Sequence, residues 1–247
     1  MAESTSLAVR RDDYLILANP DLVHETMAEN FGNDRLTAGD LEKIKTPAGG
    51  GTHWTLETAE GEQVVKEITG VLVHQHSQRA YYPGEYAGGN EKPDCSSYDG
   101  KWGHGSPGDS LAAEGKGCDE CPLSQWGSAR NGKGQACRMS KRLYILRPGE
   151  VLPAVLTLAP GSLQNFRRYL LRLGITPYFG VITRFKLVQA KSGGGILYSQ
   201  VMPELAGRLD REDLDKVREY REALIAAMAY RGQEQQAVID ADTDEFA

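Results

Sequence analysis

The chain has only four cysteines among its 247 residues, and all of them lie between Asp94 and Cys137. That stretch has many Gly and Ser residues and almost no aliphatic run, so it cannot bury a hydrophobic core of its own. The N-terminus, MAESTSLAVRRDD, lacks the apolar stretch of a signal peptide, and no segment approaches membrane-spanning length. We therefore expect a cytoplasmic protein, in which cysteines hold metal more often than they form disulfides.

Catalytic motifs are also lacking. The sequence contains no G-x-x-x-x-G-K-[ST], no H-E-x-x-H, no G-x-S-x-G and no carboxylate cluster suited to two metal ions. A zinc deaminase would carry His-x-Glu upstream of P-C-x-x-C, whereas here Pro122 follows Cys121 and no His-x-Glu precedes the pair. The sequence therefore predicts a protein that is not an enzyme.

The cysteine spacing indicates a metal site. Cys118 and Cys121 form a C-x-x-C knuckle, which lets two thiolates turn towards one metal ion, and Cys95 and Cys137 flank it. Bound Zn²⁺ would supply the folding energy that this segment lacks. We predict a structural zinc site on these four residues, with a redox pair, free thiols or two disulfides as the alternatives. The histidines that could replace a cysteine ligand are His104 and, less readily, His74 and His76.

The net charge of −6 is unevenly distributed. From Lys101 to Lys191 there are 14 Lys and Arg against 5 Asp and Glu, so the rest of the chain carries 14 against 29. A basic middle within an acidic chain indicates a polyanion site with acidic flanks. Ordinary solvated surface is the alternative interpretation.

Hydrophobic periodicity predicts the order of elements. An N-terminal extension, residues 1–60, has short helices at 21–31 and 37–44, and Trp54 is expected in the core. Strands are predicted at 63–82 with a bulge or bend at Gly70, 141–148, 151–159, 177–191 and 196–205, and a helix with Ser162 as its N-cap at 163–174. Residues 206–231 hold a long C-terminal helix, and 232–247 are predicted to be a disordered acidic tail.

A strand, a large insertion, two strands, a helix and two further strands follow one another in the order of the OB-fold. That fold is a five-stranded barrel whose concave face binds oligonucleotides and oligosaccharides. The predicted fold is therefore mainly β with α: an OB-like five-stranded barrel over 61–205. A zinc-binding insertion at about 87–140 separates its strands 1 and 2. Another small α+β sheet domain with a zinc-bearing arm is the alternative.

With these features the chain resembles bacteriophage-type single-stranded DNA-binding proteins. The resemblance rests on the OB-like order across roughly 63–205, the four inserted cysteines and the tail DADTDEFA. It departs from the family in that phage zinc-bearing members use one His and three Cys in a compact run. Bacterial tails of this kind end in Phe, whereas here Ala247 follows Phe246. The resemblance implies non-specific coating of single-stranded DNA in replication or recombination, in a host cytoplasm, with replication or recombination proteins recruited by the tail.

Single-strand binding needs aromatic faces for bases and cations for phosphates. The candidate stacking residues are Trp102, Trp126, Tyr144, Tyr178 and Phe179. The candidate phosphate contacts are Arg130, Lys133, Arg138, Lys141, Arg142, Arg184 and Lys186. Because alternate residues of a strand share a face, Arg184 and Lys186 are expected beside Tyr178. The candidate partner-binding residues of the tail are Asp242, Asp244, Glu245 and Phe246.

A zinc-containing protein-interaction module or regulator, encoded by a phage or mobile element, is the second hypothesis. The acidic character of the chain favours it. It predicts no salt-sensitive affinity for oligonucleotides, which separates it from the first hypothesis.

Overall fold

A computed structural model describes residues 14, 17, 20–32, 38–58, 60–84 and 92–229. Its helices are α1 (Pro20–Phe31), α2 (Gly108–Ala113), α3 (Pro160–Leu173) and α4 (Arg211–Ala229). Its strands are β1 (Lys43–Ile44), β2 (Trp54–Thr58), β3 (Gly61–Val65), β4 (Glu67–Tyr81), β5 (Cys95–Ser97), β6 (His104–Gly105), β7 (Cys137–Leu146), β8 (Ala154–Leu158), β9 (Val181–Lys191) and β10 (Leu197–Arg208). The fold is mainly β with helices, as the sequence predicts.

Eight of these strands form one curled, mixed sheet. Strand β4 organises it by changing neighbours along its length: Glu67–Val71 pairs with β9, Val71–Tyr81 with β7, and Arg79–Tyr81 with β5. Strand β10 pairs with β9, and β1 runs parallel to β8 at the other edge. Within the described residues β10 pairs only with β9 and not with β8. The curled sheet therefore does not close into a barrel and forms a half-barrel.

The segment predicted as one strand at 63–82 is two strands that break at Lys66. Strand β3 pairs with β2 in a separate hairpin, because the chain turns at Lys66 and only β4 enters the large sheet. The bulge predicted at Gly70 is instead between Leu72 and His74. A Cβ at Gly70 would lie 2.6 Å from the Leu146 carbonyl oxygen, so this glycine permits close approach to β7.

The inner face of the curled sheet holds the larger hydrophobic core. Leu72, Leu143 and Phe185 are fully buried there, and Trp54 packs on it as predicted. Helix α3 covers this core with its apolar face, to which Phe166 contributes. Gly174 ends the helix at a φ of 63°, which confirms the predicted stop.

Ser162 is not the N-cap of α3. The helix begins earlier, at Pro160, and Ala159 occupies the cap position. The Ser162 hydroxyl instead accepts a hydrogen bond from the Val201 amide of β10 at 3.0 Å. The earlier start follows from proline, whose fixed φ suits the first helical position.

The outer face of the sheet is covered at its centre by α4 and by the side chains of Tyr14 and Leu17. Val217 of α4 is 1% exposed against this face. The Arg221 side chain donates to the Val73 carbonyl at 2.6 Å, and Tyr220 donates to the Val151 carbonyl at 3.1 Å. These contacts hold α4 against the sheet.

One of the two predicted N-terminal helices is present, and the strand predicted at 177–191 starts later than expected. Helix α1 confirms the helix predicted at 21–31, whereas 37–44 forms a 3₁₀ turn at Ala38–Asp40 followed by β1. The strand predicted from residue 177 is wrong at its start, because Tyr178–Gly180 is a 3₁₀ turn after Pro177.

No helix in the described part of the chain has the length and apolar character needed to cross a membrane.

Candidate metal centre and Trp126 loop

The sheet brings the two outer cysteines to the same level. Tyr81 at the end of β4 pairs with Cys95 of β5 on one side and with Cys137 of β7 on the other. Residues directly opposite in a ladder point to the same face, so both cysteines share the face of Tyr81. Their Cα atoms are therefore about 10 Å apart, which is beyond the reach of a disulfide between them.

The knuckle is held against these strands by hydrogen bonds. The Cys118 amide donates to the Lys101 carbonyl at 2.7 Å. The buried Ser124 hydroxyl bridges the carbonyl oxygens of Cys118 and Cys121 at 2.5 and 2.9 Å. Since Pro122 starts a 3₁₀ turn directly after Cys121, the chain between the two cysteines is fixed at both ends.

All four cysteines are buried, 7–8% exposed, and line one cavity of about 20 Å³. Glycines let the chain pass close to the sulfurs: a Cβ at Gly103 would lie 2.9 Å from Cys95 Sγ and 3.8 Å from Cys118 Sγ. A Cβ at Gly108 would lie 2.7 Å from Cys95 Sγ. The cavity is large enough for one ion or one water molecule.

Burial favours the neutral thiol at three of the cysteines. It raises the pKa of Cys137 to about 12 and also raises the pKa of Cys95 and Cys118. The Gly108 amide nevertheless faces the Cys95 sulfur and opposes part of the rise in its pKa. The Ser97 hydroxyl lies near Cys118 but donates to the Asp99 carboxylate at 3.1 Å. Donors directed at sulfur are what thiolate ligands of a metal require.

In the described part of the chain, no group of three or more His, Cys, Asp or Glu is arranged so that it could hold a metal ion as it stands. The four sulfurs share a cavity, and bonds of about 2.3 Å to zinc would require them to draw closer. The donor set still suits zinc, since four thiols and a sulfur-directed amide surround one ion-sized space. His104 is exposed and does not line the cavity, so the structure does not bring it in as a replacement ligand.

The residues between the knuckle and β7 form a compact loop, 125–135, which we call the Trp126 loop. Its ends are closed by hydrogen bonds from the Gly127 and Ala129 amides to the Gly134 carbonyl, at 2.7 and 3.4 Å. The Gln125 side chain donates to the Cys121 carbonyl at 3.3 Å, and the Gln135 side chain donates to the Ser124 carbonyl. The loop is therefore built directly on the knuckle.

Trp126 projects from this loop with 82% of its surface exposed, whereas Trp102 is 46% exposed. Lys133 and Arg138 are exposed nearby in sequence, and Arg130 donates to the Pro83 carbonyl. These are the predicted DNA-binding residues that the structure leaves accessible.

The remaining predicted stacking residues do not present free ring faces. Tyr144 is fully buried under the outer face of the sheet. The Arg221 guanidinium lies over the Phe179 ring at 4.3 Å and over the Tyr178 ring at 5.6 Å, so α4 covers both. Tyr178 also does not share a strand face with Arg184 and Lys186, because it precedes β9.

Most of the predicted phosphate contacts on the sheet have protein partners. Arg184 pairs with Glu67 at 3.1 Å, and Lys186 pairs with Glu204 at 2.8 Å. Lys141 donates to the Ser77 hydroxyl at 3.2 Å, and burial lowers its pKa. Arg142 is 7% exposed and stacks over the Tyr98 ring at 5.9 Å.

A polar network on β4 and β7 was not anticipated from the sequence. The His76 ring lies 4.3 Å from the Tyr98 ring, and its Nε2 is 3.2 Å from the Tyr144 hydroxyl. The Tyr98 and Tyr144 hydroxyls are 3.1 Å apart. This network joins the cysteine-bearing segment 92–136, which we call the arm, to the sheet, and only the alternation of His74 and His76 indicated it. The predicted tail residues lie outside the described part of the chain.

Comparison with known proteins finds no family model, no curated protein and no solved structure that matches this chain.

Proposed function

We propose that this protein binds single-stranded DNA through the Trp126 loop, which a structural zinc ion holds on an OB-type sheet. The observation that carries the proposal is the exposure of Trp126, 82%, on a loop closed by its own hydrogen bonds. Because hydrogen bonds already order the backbone of this loop, less conformational entropy is lost when a base stacks on the indole. Such stacking is worth about 1–3 kcal/mol per base and tolerates any sequence.

The strand pairing supports the OB assignment. Strands pair in the order β8, β7, β4, β9 and β10, and α3 connects β8 to β9. These five strands and one helix follow the OB order, in which the loop between the first two strands flanks the ligand site. The arm, residues 92–136, occupies that loop here, so the zinc-bearing insertion and the binding loop are one structure.

Zinc bound by Cys95, Cys118, Cys121 and Cys137 would act as a structural ion. It would supply the folding energy that the arm lacks, because thiolate bonds replace a hydrophobic core. The Gln125 side chain of the Trp126 loop donates to the Asp119 and Cys121 carbonyls of this knuckle, so the position of the loop depends on the knuckle.

The backbone of the nucleic acid would be bound by cations beside the indole. Lys133 lies on the loop itself, and Arg138 is the second residue of β7. Both side chains are exposed. Arg130 adds a third positive charge near Pro83. Three phosphate contacts on a single strand predict a slope of log affinity against log salt of about −2.

The second candidate is a zinc-containing protein-interaction module without nucleic-acid affinity. The burial of one face of β7 and β8 under α4 favours it, because these are the second and third strands, whose face takes the ligand in an OB-fold. An exposed Trp is also the kind of residue that anchors a protein interface. Recruitment of replication or recombination proteins by Asp242, Asp244, Glu245 and Phe246 stays a prediction.

The proposal is tested by fluorescence anisotropy with a labelled oligo-dT and the zinc-loaded protein. Changing Trp126→Ala is expected to weaken binding about 10- to 100-fold, since it removes one stacked base. The matched control is Ile175→Ala, which removes another exposed apolar side chain far along the chain and should leave affinity unchanged.

Two results decide between the candidates. Equal affinity of wild type and the Trp126 variant would show that the loop is not the stacking platform. Absence of oligo-dT binding by a sample that retains its zinc would leave the protein-interaction module as the function.

A further inference from the structure

Arg79 of β4 lies on the face of the sheet that carries Cys95 and Cys137. It lies two residues before Tyr81 on the same strand, and alternate residues of a strand share a face. Tyr81 is the residue that pairs with both Cys95 and Cys137. Arg79 is therefore on the cysteine side of the sheet, one pair further along, opposite Ser97 and Met139.

The guanidinium of Arg79 has a buried donor without an acceptor. Its Nη1 atom is shielded from solvent and makes no hydrogen bond within the described residues. A buried donor left unsatisfied costs about 1–3 kcal/mol, and more when the group is charged. The native protein should therefore provide an acceptor at this point.

The nearest strand register places a sulfur on the same side of the sheet: Cys137 lies opposite Tyr81, two residues from Met139, which lies opposite Arg79. The positive charge of Arg79 opposes part of the rise that burial causes in the pKa of Cys118 and Cys137, which agrees with this placement. A thiol is a weak acceptor, whereas a metal-bound thiolate accepts hydrogen bonds from cationic donors strongly. Carboxylates do not compensate the guanidinium, because it forms no ion pair with the described acidic side chains.

We propose that Arg79 is a positioning residue of the metal centre: its guanidinium donates to the thiolates of Cys118 and Cys137 and offsets the negative charge of the site. Four thiolates around Zn²⁺ carry a net charge of about −2, which is costly to bury without a cation or donors beside it. The Gly108 amide supplies a neutral donor beside Cys95, and Arg79 supplies a charged donor on the β4 side of the site.

This inference rests on the proposed metal centre, and the experiment separates the two. Zinc affinity is measured by competition with a chromophoric chelator for wild type, Arg79→Met, Arg79→Lys and Lys101→Met. The last variant removes an exposed positive charge from the arm without touching the sulfurs. Cobalt is substituted in parallel, since its absorption spectrum reports a tetrahedral four-thiolate site.

Loss of a group that hydrogen-bonds to a metal ligand weakens metal binding about 10- to 100-fold. We expect that loss of zinc affinity for Arg79→Met. Arg79→Lys keeps the positive charge and should recover most of the affinity. Lys101→Met should bind zinc as tightly as wild type. The cobalt spectrum should show four thiolates in every variant. Recovery by lysine distinguishes a role at the metal from general damage to β4.

Equal zinc affinity of wild type and Arg79→Met would overturn the role of Arg79 and leave the metal centre standing. Failure of wild type to bind zinc or cobalt through thiolates would overturn the metal centre and this inference together. If Arg79→Met does not fold, Arg79→Lys decides. Affinity close to that of wild type and of Lys101→Met is expected, and a loss of about 10-fold or more despite the retained charge would contradict the charge effect.

Discussion

The sheet and the arm are stabilised by different physics. The sheet buries a continuous set of large apolar side chains on its inner face and a second set under α4. In the arm, residues 92–136, Leu111 and Leu123 are the only Leu, Ile, Val, Met or Phe residues. Hydrogen bonds to backbone carbonyls and four buried cysteines take the place of a core there.

This difference predicts two independent responses to perturbation. Removing apolar volume should weaken the sheet, and removing metal should weaken the arm. Two kinds of contact link the regions: β5 of the arm pairs with β4, and Tyr98 of the arm contacts His76 and Tyr144 of the sheet. The Trp126 loop is on the arm, so DNA binding should follow the metal rather than the stability of the sheet.

The largest effect is expected from Cys121→Ser. Loss of one of four thiolates should abolish tight zinc binding, because structural zinc contributes about 10–16 kcal/mol in small metal-folded domains. Hydrogen exchange should then lose protection across 92–136 while β7 to β10 stay protected. Protection that is unchanged in the arm would show that it folds without metal, as would an unchanged pattern after chelator treatment of wild type.

Phe185→Ala is expected to act on the sheet alone. The side chain is fully buried in the inner core, and its removal should lower the free energy of unfolding by about 3–5 kcal/mol. Urea unfolding followed by circular dichroism measures this loss. Zinc affinity measured at native conditions should not change, and a parallel drop in zinc affinity would contradict the independence of the two regions.

Acidification should weaken the link through His76. Burial lowers its pKa from the usual 6.5 to about 4, and Arg142 and His74 oppose its charge. The unfolded chain binds the proton more readily, so the stability is present above about pH 6.5 and is lost as pH falls towards 4. The loss is up to about 3 kcal/mol.

The pH effect is measured by urea unfolding of wild type and His76→Gln at neutral pH and near pH 4.5. Glutamine keeps a polar side chain but does not titrate, so the difference between the two proteins should shrink on acidification. A difference that stays constant with pH would show that His76 is not held neutral by the fold.

The smallest effect is expected from Tyr98→Phe, which removes one hydroxyl from the link. Loss of its hydrogen bond with Tyr144 should cost about 1 kcal/mol. Tyr198→Phe is the matched control, since its hydroxyl makes only a 3.4 Å contact with Gln200. Thermal unfolding of both variants, together with hydrogen exchange at β5, shows whether the lost bond loosens the arm.

Local features of the sequence predicted the elements that local chemistry determines. Gly174 ends α3 as predicted, and the apolar spacing of Phe166 and Leu173 set its buried face, whereas the helix starts at Pro160 rather than after Ser162. The close spacing of Cys118 and Cys121 indicated the knuckle. Their convergence with Cys95 and Cys137 required only that the flanking strands pair, which they do through Tyr81.

The rest depended on partners distant in sequence. Tyr144 alternates with apolar residues as a surface aromatic would, yet Tyr98 from the arm closes over it. The Phe179 ring is covered by the Arg221 guanidinium, which is more than forty residues away in the sequence. Arg184 of β9 forms an ion pair with Glu67 of β4. Their separation along the sequence gives no indication of this contact. These long-range contacts redirected the predicted DNA site from the sheet to the Trp126 loop.

The central claim, that a metal-organised loop binds single-stranded DNA, is tested most directly by one titration. Zinc-loaded protein is titrated with oligo-dT and with an equal-length duplex at two salt concentrations, while intrinsic Trp emission is followed. The account predicts strand-selective, salt-sensitive binding that quenches Trp emission and disappears when zinc is removed. Binding that is absent from the zinc-loaded protein, or that persists unchanged without zinc, would contradict it.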